Sequence, residues 1–177
     1  MRTAVIIGGG LGGLFTGAIL SKEGFKVTVL EKNTTVGGGL QNFKRFGLKF
    51  DTGMHVIGGM RPGGNIYRVC QYLGIVDKVS LMNVDDECTD SLYFAEDKHT
   101  YHIQKGREGF VDSLAEHFPN EKENLKAYVD AVFGLVDEIS LFHLRPSSDM
   151  LTTHSDNFMI AADAFIAKYI KEPKLRS

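Results

Sequence analysis

The chain has 177 residues, 43% apolar and 24% charged, with 20 Lys+Arg against 22 Asp+Glu for a net charge of −2. That is the composition of an ordinary globular domain without the basic excess of a nucleic-acid binder. Two cysteines exclude a disulfide scaffold, and no apolar run approaches the ~18 residues of a membrane-spanning helix.

From the N-terminus, Thr3–Ile7 reads as a short strand of the parallel type covered on both faces. Its apolar part, Ala4–Ile7, is too short for a secretory core. Free thiols and no export signal point to the cytoplasm. Leu11–Lys22 predicts a helix carrying Leu14, Ala18 and Leu20, with Gly24 just past its end. Lys26–Leu30 is a second, β-branched strand, so the chain opens with βαβ. Phe43–Phe46 and Leu48–Phe50 predict a hairpin around Gly47. Arg61–Gly64 is a turn before a helix over Asn65–Leu73, which places Ile66, Val69, Cys70 and Leu73 on one face and ends at Gly74.

Leu92–Ala95 and Thr100–Ile103 alternate as antiparallel strands joined by the polar residues Glu96 to His99. Helices follow over Glu108–Phe118, Glu121–Leu144 and roughly Asp149–Lys171. Asn120 with Glu123 forms the pattern of a capping box, and Leu125, Val129, Val132, Val136 and Ile139 make a helical stripe. The fold class is α/β. A Rossmann-like βαβ start with a parallel sheet is expected over residues 1–80, and an antiparallel and helical segment over 81–177.

Glycine is the compositional outlier, with 20 residues where average usage gives ~12. Sixteen fall between Gly8 and Gly64. Residues 1–50 also hold seven basic and two acidic side chains. A Gly-rich, basic opening suits an anionic ligand gripped by backbone. Within it, Gly8, Gly10 and Gly13 form G-x-G-x-x-G directly after a strand and at the start of a helix, and Glu31 ends the next strand. The pattern alone is weak; its context reads as a dinucleotide-binding loop. Gly8 permits the turn, Gly10 admits a pyrophosphate, and Gly13 lets helix and strand pack closely. The helix N-terminus faces the phosphates, and Glu31 can accept the ribose hydroxyls.

Glu31-Lys32 continues through Val36 into Gly37-Gly38-Gly39, and later into Phe50-Asp51-Thr52-Gly53-Met54-His55-Val56-Ile57-Gly58-Gly59. Over residues 3–59 the chain resembles the flavin-containing amine oxidase and phytoene desaturase superfamily, and within it the retinol saturase and carotenoid desaturase/isomerase branch. The resemblance implies FAD as cofactor, with Gly8, Gly10, Leu11, Gly12, Gly13, Glu31, Lys32, Gly37, Gly38, Gly39 and Leu40 as its binding residues. It implies an oxidoreductase acting on C–C bonds of an apolar polyene, such as a retinoid or carotenoid, by flavin hydride transfer. A flavin amine oxidase and an inactive dinucleotide-binding fragment stand as alternatives. The Glu31-Lys32 continuation fits flavin proteins better than NAD-binding domains. Many members place Arg after the glycine pair. Here Gly39 stands there, so positive charge must come from Lys32, Lys44, Arg45 or backbone. Family enzymes are far longer and complete the FAD domain with their C-terminal part, so the resemblance reads this chain as an N-terminal portion, with residues 81–177 part of a substrate domain.

No catalytic acid or base stands out. His55 is a weak candidate, because the matching segment in relatives runs near the flavin ring; a structural hydrogen-bonding role is its other reading. Asp51 reads as a turn cap. The remaining histidines show no metal-ligand spacing. Cys70 reads as core and Cys88 as an exposed loop residue, neither with a neighbouring base. Phe133, Leu135, Phe142, Met150, Phe158, Met159 and Phe165 could be core, line an apolar tunnel, meet a membrane surface or drive self-association.

Overall fold

Strand β1 (Thr3–Ile7) pairs in parallel with β2 (Lys26–Leu30), from Thr3 opposite Lys26 to Ile7 opposite Leu30, in a computed structural model describing residues 1–140, 142–145 and 155–177. Helix α1 (Leu11–Lys22) is the crossover between them. It covers one face, where Ala4, Ile6, Val27 and Val29 are partly buried. Gly17 is buried in this contact: a Cβ there would lie 3.4 Å from both Ile6 Cδ1 and Val29 Cγ2. The expected two-sided cover of β1 is not found. Val5 and Ile7 are 65% and 88% exposed, because among the described residues this sheet has two strands and α1 packs on only one face.

The hairpin of β3 (Asn42–Arg45) and β4 (Leu48–Asp51) turns on Phe46 and Gly47, both with positive φ (53° and 78°), as a two-residue hairpin loop matched to strand twist requires. Phe43 and Phe50, a cross-strand pair, stack at 5.4 Å. Helix α2 (Asn65–Leu73) ends where Gly74 adopts a left-handed conformation, and the Tyr72 hydroxyl donates to the Glu23 carboxylate. These elements form one compact unit, Met1–Ser80.

Leu81–Ser177 form a second. Its hairpin pairs β5 (Asp90–Phe94) with β6 (His99–Ile103), so His99 belongs to the strand rather than the turn. Helices α3 (Gly106–Ala115), α4 (Lys122–Asp137), α5 (Ala162–Tyr169) and α6 (Pro173–Arg176) follow. The core joins Ile103, Val111, Leu114, Leu125, Val129 and Ile170. Leu125 and Ile170 are each 2% exposed, and full burial of such a side chain contributes about 1.5–3 kcal/mol.

The late helices depart from the sequence reading. Helix α3 starts two residues early and stops at Ala115. Helix α4 ends at Asp137, not Leu144; its last bonds tighten to i→i−3, Glu138 to Leu135 (3.2 Å) and Ile139 to Val136 (3.1 Å). Gly134, in the last turn of α4, is a weak local signal of that stop, and no Pro or capping Gly follows directly at Glu138. The single helix expected to Lys171 is instead a 3₁₀ turn over Asp156–Met159, an extended break at Ile160–Ala161, and α5; its start at Asp149, with Met150, lies outside the described residues. Phe165 is core, whereas Phe142 and Met159 are exposed.

The capping box also fails. Pro119–Glu121 form a 3₁₀ turn, Glu121 takes the N-cap position of α4, and no side chain caps the helix. Glu121, 7% exposed, turns inward: its carboxylate accepts from Asn124 Nδ2 (2.7 Å) and from the amides of Lys171 (3.2 Å) and Glu172 (2.9 Å). It clasps the chain after α5 to the start of α4. Burial pushes the Glu121 carboxyl up, but these hydrogen bonds and the Lys171 charge outweigh it and hold it below the usual carboxylate range.

Candidate dinucleotide site

The site forms where β1 turns into α1. Gly8 donates to the Leu30 carbonyl at 2.7 Å and turns the chain with φ +103°, a conformation L side chains rarely adopt. Gly13 then lies so close to the strand end that a Cβ would sit 2.0 Å from the Gly8 carbonyl oxygen. Both roles read from the sequence match this geometry. Gly10 caps α1 without a side-chain hydrogen bond, and the first turn holds no acidic residue. The amides of Leu11, Gly12 and Gly13 therefore have no intrahelical acceptor and present the positive end of the helix dipole. A Cβ at Gly12 would meet nothing within 4 Å, and one at Gly10 only the Gly38 Cα at 3.9 Å. The space above these glycines is open, as close approach by a phosphate requires.

Gly9, which the motif leaves as a spacer, proves to be the hub. It is buried; its amide donates to Glu31 Oε2 at 2.7 Å and its carbonyl accepts from the Gly37 amide at 2.7 Å. A Cβ on Gly9 would stand 3.1 Å from both Glu31 Oε2 and Val36 Cγ1. Its sequence signal was an unbroken run of glycines where the motif asks for fewer. Gly10 and Gly37 form a parallel bridge, so the second glycine cluster lies along the first. Gly37 has φ +122°, and a Cβ on Gly38 would lie 3.1 Å from the Gly10 Cα. Leu40 closes the turn by donating to the Gly37 carbonyl at 3.0 Å.

Glu31 is partly buried and ties two strand ends together, with Oε1 accepting from the Asn33 amide at 2.8 Å. Hydrogen bonds from the Asn33 and Gly9 amides hold its carboxyl below the usual range, against the opposing pull of desolvation. It is thus an anionic acceptor whose oxygens each keep a lone pair for a hydroxyl. Gly8, Gly9, Gly10, Gly13, Glu31, Gly37 and Gly38 converge. Lys32 is exposed beside them, and Arg45 lies over the Phe46 ring at 5.5 Å.

Gly53 runs past Gly39, its Cβ position 3.5 Å from the Gly39 carbonyl oxygen, which brings the segment of His55 alongside the glycine turn. The His55 ring itself is 73% exposed and lies 3.6 Å from Asp51 Oδ2, the residue read from sequence as a turn cap.

A second cluster corrects the sequence reading. Cys88 has a neighbouring base: its Sγ lies 3.4 Å from His102 Nδ1 and 3.3 Å from Ser91 Oγ. Hairpin pairing, fourteen residues apart in sequence, brings them together. Cys70 is core, 3% exposed.

A family model of the NAD(P)-binding Rossmann-like domain matches residues 6–73. The chain is 36% identical over 135 residues to the all-trans-retinol 13,14-reductase of Rattus norvegicus, covering 73% of this chain and 21% of the relative. It is 26% identical over 187 residues to a chloroplastic prolycopene isomerase of an Oncidium hybrid cultivar, covering 98% of this chain and 32% of the relative. Among solved structures, an oxidoreductase from Methanosarcina mazei is 35% identical over 42% of this chain and 17% of its own, with a TM-score of 0.38. The chain thus spans between a fifth and a third of the length of these curated relatives. The interlocked glycine turns and the matched family model agree on a Rossmann-like dinucleotide-binding fold, and the similarity to the curated relatives supports placing the chain in the carotenoid/retinol desaturase-like superfamily, over its N-terminal portion.

Proposed function

We propose that this chain is the nucleotide-binding part of an FAD-dependent oxidoreductase acting on C–C bonds of an apolar polyene such as a retinoid or carotenoid. The observation that carries the reading is the Gly9–Glu31–Gly37 interlock, which sets an anionic ribose acceptor beside an open, side-chain-free helix N-terminus. The amides of Leu11, Gly12 and Gly13 would hold the pyrophosphate, and Glu31 the adenosine ribose. Gly37 to Leu40 would pass beside the remaining chain of the cofactor, with Lys32 supplying positive charge. When bound, the flavin supplies the hydride chemistry. The residues named here would bind and orient it. The names of the two curated relatives support the substrate class. Exposed apolar side chains such as Val5, Ile7 and Met159 fit contact with a membrane surface or a second copy. No helix among the described residues is long and apolar enough to cross a membrane.

The test is titration of the purified chain with FAD and, separately, with ADP, following flavin absorbance and heat of binding. Saturable binding of both, with ADP competing against FAD, is expected. NAD binding with no FAD binding would move the site to a nicotinamide cofactor, and binding of neither would refute the reading.

A further inference from the structure

We propose that Cys88 is a reactive thiol with His102 as its base, a covalent modification site for neutral, soft carbon electrophiles of the α,β-unsaturated carbonyl class. Ser91 and His102 are direct cross-strand partners in the β5–β6 hairpin, and they share its outward face, since Tyr101 and Ile103 on either side of His102 are buried. Cys88 sits two residues before β5 and folds back onto this pair. Its Sγ is 3.4 Å from His102 Nδ1 and 3.3 Å from Ser91 Oγ, and Ser91 Oγ is 3.0 Å from the same ring nitrogen. Sγ also lies 3.5 Å from the Asp90 carbonyl. A thiol and a hydroxyl thus converge on one imidazole nitrogen. His102 is exposed and Cys88 half-buried, so the dyad is open to a reagent while held in place.

In the reaction, His102 Nδ1 takes the Sγ proton as the Sγ–C bond forms at the β-carbon. The electron pair of the C=C bond moves toward the carbonyl oxygen. The imidazolium then returns the proton at the α-carbon, leaving a saturated thioether. Nothing is oxidised or reduced. Charge selects the reagent: Asp85, Asp86, Glu87 and Asp90 flank the thiol, and of these Asp86 is paired with Lys105. An anionic electrophile meets repulsion there that a neutral one does not.

The experiment treats the 177-residue chain under native conditions with N-ethylmaleimide, iodoacetamide and iodoacetate, and reads adducts by peptide mass spectrometry. Cys88 should be labelled while Cys70, 3% exposed, is spared. H102Q should slow Cys88 labelling at least about tenfold, below the ~10²–10⁴-fold that a positioned general base typically contributes. In H102A, added imidazole should restore part of the rate, which a merely structural histidine would not allow. Iodoacetamide should outpace iodoacetate by a margin that shrinks with salt. A rate within about twofold of wild type in H102Q, no imidazole rescue, or Cys70 labelled alongside Cys88 would each overturn the assignment.

Discussion

The glycine loop allows stability and ligand binding to be separated by single methyl groups. At Gly13 a Cβ would lie 2.0 Å from the Gly8 carbonyl oxygen and 3.2 Å from its carbon, both backbone atoms that cannot swing away. G13A must therefore prise α1 from β1. Overpacking of this kind costs about 1–3 kcal/mol, against at most about 1 kcal/mol regained from the better helix propensity of Ala. Unit 1 should lose about 1–2 kcal/mol net. Gly10 has φ −76° and ψ −179°, an ordinary extended conformation, and a Cβ there meets nothing closer than 3.9 Å. G10A should fold with stability within about 0.5 kcal/mol of wild type, yet its methyl occupies the approach of the pyrophosphate. One lost charge-assisted hydrogen bond is worth about 1.5–3 kcal/mol, so ADP or FAD should bind about ten- to a hundredfold more weakly. Urea unfolding followed by circular dichroism gives the first quantity and calorimetric titration the second. Wild-type affinity in G10A, or wild-type stability in G13A, would refute the assigned roles of these two glycines.

Other perturbations test the carboxylates. E31Q should weaken ADP binding, because an amide cannot accept from both Gly9 and Asn33 and still face a ribose hydroxyl. Since the Glu31 carboxyl is held below the usual range, its contribution is present above the ordinary carboxylate pKa and lost as pH falls through the lowered folded value. ADP affinity measured from pH 7 downward should therefore hold before it declines, and a decline already complete at ordinary carboxylate pH would contradict this. E121A should destabilise unit 2 by about 2–4 kcal/mol, read by urea unfolding, because it strands the donors of Asn124, Lys171 and Glu172. The same sign rule applies to Glu121: its contribution disappears only as pH drops through a folded value below the usual range.

Much of unit 1 was legible in the linear chain. The bounds of β1, α1, β2 and α2 follow from short apolar runs and from glycines at their ends, signals that act within a few residues. The turn at Gly8 and the close packing at Gly13 were legible because a strand, a tight turn and a helix leave so few geometries for the loop. Gly9 was not, since its burial depends on Glu31, 22 residues on, and on Val36. The end of α4 is not legible because the apolar stripe continues past Gly134 through Ile139, with no Pro or capping Gly at the stop itself. Glu123 looked like the capping acid; the residue that matters is Glu121, and its partners lie 50 and 51 residues away.

By itself, the sequence determined which segments are strands and helices at the front of the chain, and that a glycine-rich turn joins them. Those are local properties: backbone freedom at glycine, apolar periodicity and the stop signals of helices. Tertiary structure alone decided which polar groups meet. It brought Glu31 to Gly9, turned Glu121 inward and laid Cys88 against His102, because hydrogen-bond partners are set by how elements pack, which no local pattern records. It also left the outer face of β1 open, a fact about neighbours rather than about the strand.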